Sequence, residues 1–237
     1  MEHHLQKAWA DEQAEADYQS RIEAMVHSGD LDAAVDILMA DLASLDTPLA
    51  EHCRNLTEEA VEIVGWPEIG DAVVEYEGEP ITAVHILMTN EEDLVFEDKD
   101  LKHDPLMQVA FYSDEHLAFS SLNREELLVE CQREDLPEWY GQGEDIEVYL
   151  EINGLTYLNT ALLHHKRQYY FRDQMHVMDA HNGLAADTAP LLYIEYRLAS
   201  MLRALRYHQA VKALVDGYGI YGNLPVIVGM HNMKPEI

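Results

Sequence analysis

Ile146-Glu147-Val148-Tyr149-Leu150-Glu151-Ile152, followed by Asn153-Gly154, is the stretch that separates this chain from an all-helical protein. Apolar and polar residues alternate along it with a period of two, the pattern of a strand with one buried face. Asparagine-glycine tolerates positive φ at both centres of a tight turn, so the pair reads as a type I′ hairpin. The segment predicts a strand over 146–152 and a returning arm over 155–163, which can run on from His164 to Arg172.

Upstream, two more pairs of β-rich runs suggest hairpins. Ala72 to Glu77 and Ile81 to Thr89 flank Gly78, and Leu106 to Tyr112 and Leu117 to Ser120 flank Ser113-Asp114-Glu115. Asn123 and Glu126 have the spacing of a capping box and open a short helix through Leu127, Leu128 and Cys131. Downstream, Pro190 opens the longest helix, with Leu191, Ile194, Leu198, Met201, Leu202 and Leu205 on one side, ending near Gly217. Leu224 to Met230 reads as a last strand.

The N-terminal part keeps a helical period. Tyr18, Ile22, Met25 and Val26 form a stripe that stops at Ser28-Gly29, and Asp30 offers an N-cap for the next helix. There Leu31, Ala34, Val35, Leu38, Leu42 and Leu45 keep one face apolar. Thr47-Pro48 supplies a cap and a first-turn proline, after which Leu49, His52, Cys53, Leu56, Ala60, Ile63 and Val64 continue the pattern up to Gly65. Links this short make neighbouring helices antiparallel, while Trp66-Pro67 and Gly70 read as the end of the helical part. The expected fold is α+β: an antiparallel helical N-terminal region over 1–67, then a mainly antiparallel sheet with one short and one long helix over 68–237, the two forming separate regions or one continuous domain.

Charge is unevenly placed. Of the formal −30, residues 1–163 carry 39 Asp or Glu against 7 Lys or Arg, a balance of −32, while residues 164–237 carry 6 against 8, a balance of +2. Such a field repels phosphate backbones and anionic lipid, and it speeds the approach of anything basic. Direct nucleic-acid binding and membrane binding are therefore not expected. Hydrophobic residues at 48% are too many for a disordered acidic tail. Cys53 and Cys131 fall on apolar helix sides without metal-ligand spacing, and Met1 to Lys7 lacks the pattern of a signal peptide, so a reduced, cytoplasmic protein is expected.

Gly217, Gly219 and Gly222 satisfy G-x-G-x-x-G, but they follow a helix and precede a strand, so no helix N-terminus points at a phosphate and a helix stop is the better reading. The acidic loop with Asp98, Asp100 and Asp104 fails the calcium register at Lys102 and His103. His176, Asp179 and His181 could hold a catalytic metal, with His164 and His165 nearby, in a spacing that matches no compact motif. The basic and aromatic run from His164 to Arg172 suits single-stranded nucleic acid in composition, but the surrounding charge favours internal ion pairing.

The expected function is a cytoplasmic, non-enzymatic binding protein, without cofactor or metal, that occludes a basic surface on a protein partner. Immunity proteins against nucleic-acid-attacking toxins and nucleic-acid mimics that inhibit nucleases share this logic: the target needs Lys and Arg to hold phosphates, so carboxylates compete for the same site. Candidate contacts are Asp32, Asp36, Glu58, Glu59 and Glu62 on helices, and Glu91, Glu92, Asp93, Glu97 and Asp98 in the loop, with Trp66, Trp139 and Tyr140 as aromatic anchors. The rivals are a metal-dependent hydrolase around His176, Asp179 and His181, and a chaperone or adaptor that docks through its N-terminal helices.

Overall fold

The structure, a computed structural model, describes Leu5 and residues 12–45, 47–53, 60–88, 106–115, 117–131, 146–159, 161–162, 190–219 and 224–230. The chain divides into two compact units, one of residues 1–60 and 154–206, the other of residues 61–153 and 207–237. Together they carry helices and a mixed sheet, an α+β fold.

The first unit is helical. Helix α1 spans Glu12–His27, α2 Leu31–Ala43 and α3 Pro48–Cys53, and residues 156–159 and 161–162 are helical as well. The link from α1 to α2 is a Schellman stop: Gly29, at φ 85°, donates its N–H to Val26 O and Asp30 donates to Met25 O. Asp30 occupies the N-cap position of α2, but its side chain makes no capping bond. The expected stripe is in place, with Tyr18, Ile22 and Val26 of α1 and Leu31, Ala34, Val35, Leu38 and Leu42 of α2 buried. Tyr18 donates its hydroxyl to Asp41 Oδ2 at 2.7 Å, tying the two helices, and burial together with that bond pushes the phenol well above its usual range. Thr47 caps α3, its Oγ1 accepting the N–H of Ala50 at 3.1 Å.

The longest helix, α6, spans Pro190–Tyr218, with its first part in this unit. Ile194, Leu198, Ala199 and Leu202 are buried along it. Two acids are buried with them. Glu195 accepts the Thr47 hydroxyl, and Glu15 of α1 accepts Arg197 Nε–H at 2.7 Å. A carboxylate taken out of water needs such donors, so these bonds position α6 against α1 and the start of α3.

The second unit holds the sheet. Its strands are β1 (Glu62–Val64), β2 (Ile81–Met88), β3 (Leu106–Ser113), β4 (Val148–Asn153) and β5 (Val226–Met230), in the spatial order β1-β4-β3-β2-β5. The β1/β4, β4/β3 and β3/β2 ladders are antiparallel, and β2/β5 is parallel. The sheet is thus mixed, which narrows the antiparallel expectation: β5 reaches β2 only after the long crossover that contains α6, and crossovers of that length permit parallel pairing. Helix α4 spans Trp66–Glu75, and α5 spans Arg124–Cys131. The capping box of α5 forms in both directions, Asn123 N–H to Glu126 Oε2 at 2.9 Å and Glu126 N–H to Asn123 Oδ1 at 3.1 Å.

Five local expectations are corrected, among them the arm Leu117 to Ser120, which holds a 3₁₀ turn instead of a returning strand. Glu62, Ile63 and Val64 are not the end of a helix but strand β1, with Ile63 opposite Ile152. Trp66-Pro67 opens α4 instead of ending the helical part, since Pro67 sits at the first turn, where no N–H is needed. The run Ala72 to Glu75 therefore continues a helix, and no hairpin forms around Gly78. Positive φ falls at Gly154 (105°) and Leu155 (48°), not at Asn153 as a type I′ turn of Asn153-Gly154 requires, and the chain enters helix at 156–159, with Leu155, Leu158 and Leu162 buried. Beyond β3, Phe119–Ser121 is a single 3₁₀ turn, held by Asp114 accepting the Ser120 N–H at 3.0 Å and the Ser120 hydroxyl. Those bonds, the hydroxyl first, hold the Asp114 carboxyl below its usual range. Gly219 behaves as a helix stop: at φ 67° it donates its N–H to Val215 O, and Gly222 lies outside the described residues.

Candidate functional site

Residues paired across a ladder share a face, so the registers sort the sheet into two faces. One contains Ile63, Val148, Leu150, Ile152, Met107, Val109, Phe111, Val84, Ile86 and Val228. All of these are buried except Ile63, which is half-buried. Helix α4 starts against this face: a Cβ on Gly65 would meet Leu150 Cδ2 at 3.4 Å. The buried residues of α4 are Trp66 and Ile69.

The opposite face is closed over β2, β5 and part of β3. There Ala83, Leu87, Ala110, Tyr112 and Ile227 form a cluster with Phe119 of the 3₁₀ turn and Leu127 of α5, and Leu117 and Leu122 pack against it. His85 belongs to this face through its register with Ala110 and Ile227. It is fully buried 6.2 Å from the Tyr112 ring, and burial lowers its imidazole to about 3.

Over β1 and β4 the described residues of the same face are exposed. Glu62 and Val64 of β1, and Tyr149, Glu151 and Asn153 of β4, are exposed, with Glu147 continuing the alternation one residue before β4. Val64 is 43% and Tyr149 49% exposed. Register sets Val64 beside Glu151, Glu62 beside Asn153, and Tyr149 beside the exposed Gln108 of β3. The covered half ends between Leu87 and Gln108, which are register partners. An aromatic ring and a valine therefore stand among three carboxylates on a rigid, extended backbone.

The sequence-derived contacts distribute unevenly about this surface. Glu62 lies on it. Asp32 and Asp36 are exposed on successive turns of α2, in the other unit. Trp66 is not a surface anchor: it is only 7% exposed, and its indole N–H donates to Gly219 O at 3.3 Å. Tyr149 is the aromatic residue that the sequence reading missed, although the period-two pattern that turns Val148, Leu150 and Ile152 inward turns Tyr149 outward. Glu58, Glu59, Glu91, Glu92, Asp93, Glu97, Asp98, Trp139, Tyr140, His176, Asp179 and His181 lie outside the described residues.

Among the described residues no group of three His, Cys, Asp or Glu is placed to hold a metal, and no helix is long and apolar enough to cross a membrane. Comparison with protein-family models, with curated proteins and with solved structures finds no match to this chain.

Proposed function

We propose that this chain is an acidic, cytoplasmic binding protein that captures and occludes a basic surface on a protein partner, in the manner of an immunity protein or a nucleic-acid-mimic inhibitor of a toxin or nuclease. One observation carries the reading. The sheet unit, residues 61–153 and 207–237, holds 27 acidic residues against 6 basic ones, a balance of −21 out of the total of −30. A partner that binds nucleic acid must gather Lys and Arg on one surface, and a dense carboxylate field both accelerates its approach and competes for those cations. The strands and turns support an immunity-type patch rather than a mimic of a regular phosphate array, because the exposed acids are interleaved with Tyr149 and Val64. Affinity capture from the source cell tests this: the immobilised chain should retain, at low salt, a protein of isoelectric point above about 9 that a salt step releases. Retention of neutral or acidic proteins alone, or of none, would count against it.

A further inference from the structure

From the exposed half of the sheet face we infer a docking surface for one kind of occupant: an extended segment of a partner protein that carries two cations four residues apart with an apolar residue midway between them. The inference rests on the acidic-capture reading and adds to it the place and the pattern. Along β4 and its approach, Glu147, Tyr149 and Glu151 point to one face at every second position. With a rise of about 3.4 Å per residue, the two carboxylates stand roughly 14 Å apart with the ring between them. Two cations four residues apart on a helix start only about 6 Å apart, so they would have to splay in opposite directions to meet both acids, at a cost in side-chain freedom. In an extended segment the same spacing spans the full distance and sets the middle residue over Tyr149.

The neighbouring strand reinforces the match. Val64 lies in register beside Glu151 and widens the apolar floor, while Glu62, one pair further along beside Asn153, adds a second carboxylate within reach of the cation that meets Glu151. Gln108, beside Tyr149 on the other flank, offers an amide that can bond to an extended backbone. The arrangement is that of a compact interface, with an exposed aromatic at the centre and charges around it. The sign of those charges selects a basic segment over a neutral or acidic one.

The probe is a dye-labelled nonapeptide in which arginine, serine, leucine and serine repeat, so that arginines recur every fourth residue with leucine midway. Its control has the same composition with the arginines adjacent. Binding to the full chain is read by fluorescence anisotropy at low and high salt, with folding of each variant checked by circular dichroism. The spaced peptide is expected to bind more tightly than the control, and Tyr149→Ala and Val64→Ser should each weaken it, the former about tenfold. Tyr218→Ala, which removes an 82% exposed tyrosine at the end of α6, should leave it unchanged. Equal affinity for the two peptides, or indifference to both Tyr149→Ala and Val64→Ser, overturns the docking surface while salt-sensitive binding leaves the capture reading standing. Failure of both peptides to bind even at low salt overturns the two together.

Discussion

Thr47 serves two helices with one hydroxyl. Its oxygen accepts the Ala50 N–H at the start of α3, and its proton goes to Glu195 of α6, a carboxylate only 1% exposed. Thr47→Val keeps the shape but removes both bonds, so it should lower unfolding stability by roughly 1 to 3 kcal/mol, measured by urea denaturation. A loss within a few tenths of a kcal/mol would show that Glu195 does not depend on this donor. His85 supports a second test. Its folded-state value of about 3 lies below the ordinary 6.5, so over that window the unfolded chain takes up a proton that the folded chain refuses. The contribution of this group to stability is complete above pH 6.5 and is lost as pH falls towards 3, at a slope of up to about 1.4 kcal/mol per pH unit. The stability of wild type should therefore fall more steeply than that of His85→Leu between pH 6.5 and 4. Parallel profiles would contradict a neutral, desolvated imidazole.

At the scale of elements, β4 follows from its period of two and the helices α1, α2 and α6 from their apolar stripes, while β2, buried at seven of its eight positions, follows from an apolar, β-branched run. Pairing was harder to read. A turn signal such as Asn153-Gly154 marks a turn without saying which element comes next; here Gly154 and Leu155 take positive φ and the next element is a helix. Three-residue β1 has too few positions to show a period, and Ile63 and Val64 also fit the helical spacing of the preceding segment although both are β-branched. The exposed face is half legible: Glu62 stands out by its charge, whereas Tyr149 becomes a candidate only once the register shows which side of β4 is exposed. The cap of α5 was legible in full, and it has a measurable value. Asn123→Ala removes the acceptor for Glu126 N–H and should cost about 1 kcal/mol, seen as a lowered denaturation midpoint with an unchanged m-value. No change would mean that Leu127 packing alone holds that helix on the sheet.

Across the whole molecule, the formal charge of −30 acts on stability and on association in opposite directions. Carboxylates crowded on a folded chain repel one another, so moderate salt should raise the melting temperature of the isolated protein. A steady fall on adding salt would mean that attractive ion pairs, such as Glu15–Arg197, outweigh the repulsion. The same field is what would draw in a basic partner, and its reach shrinks with the Debye length, about 10 Å at 0.1 M salt. The most direct test of the capture account is the association rate of the chain with its captured partner, measured by stopped flow as ionic strength is raised from about 0.05 M to about 0.5 M. A fall of about tenfold or more is the predicted result; a rate that stays the same across that range would contradict the account.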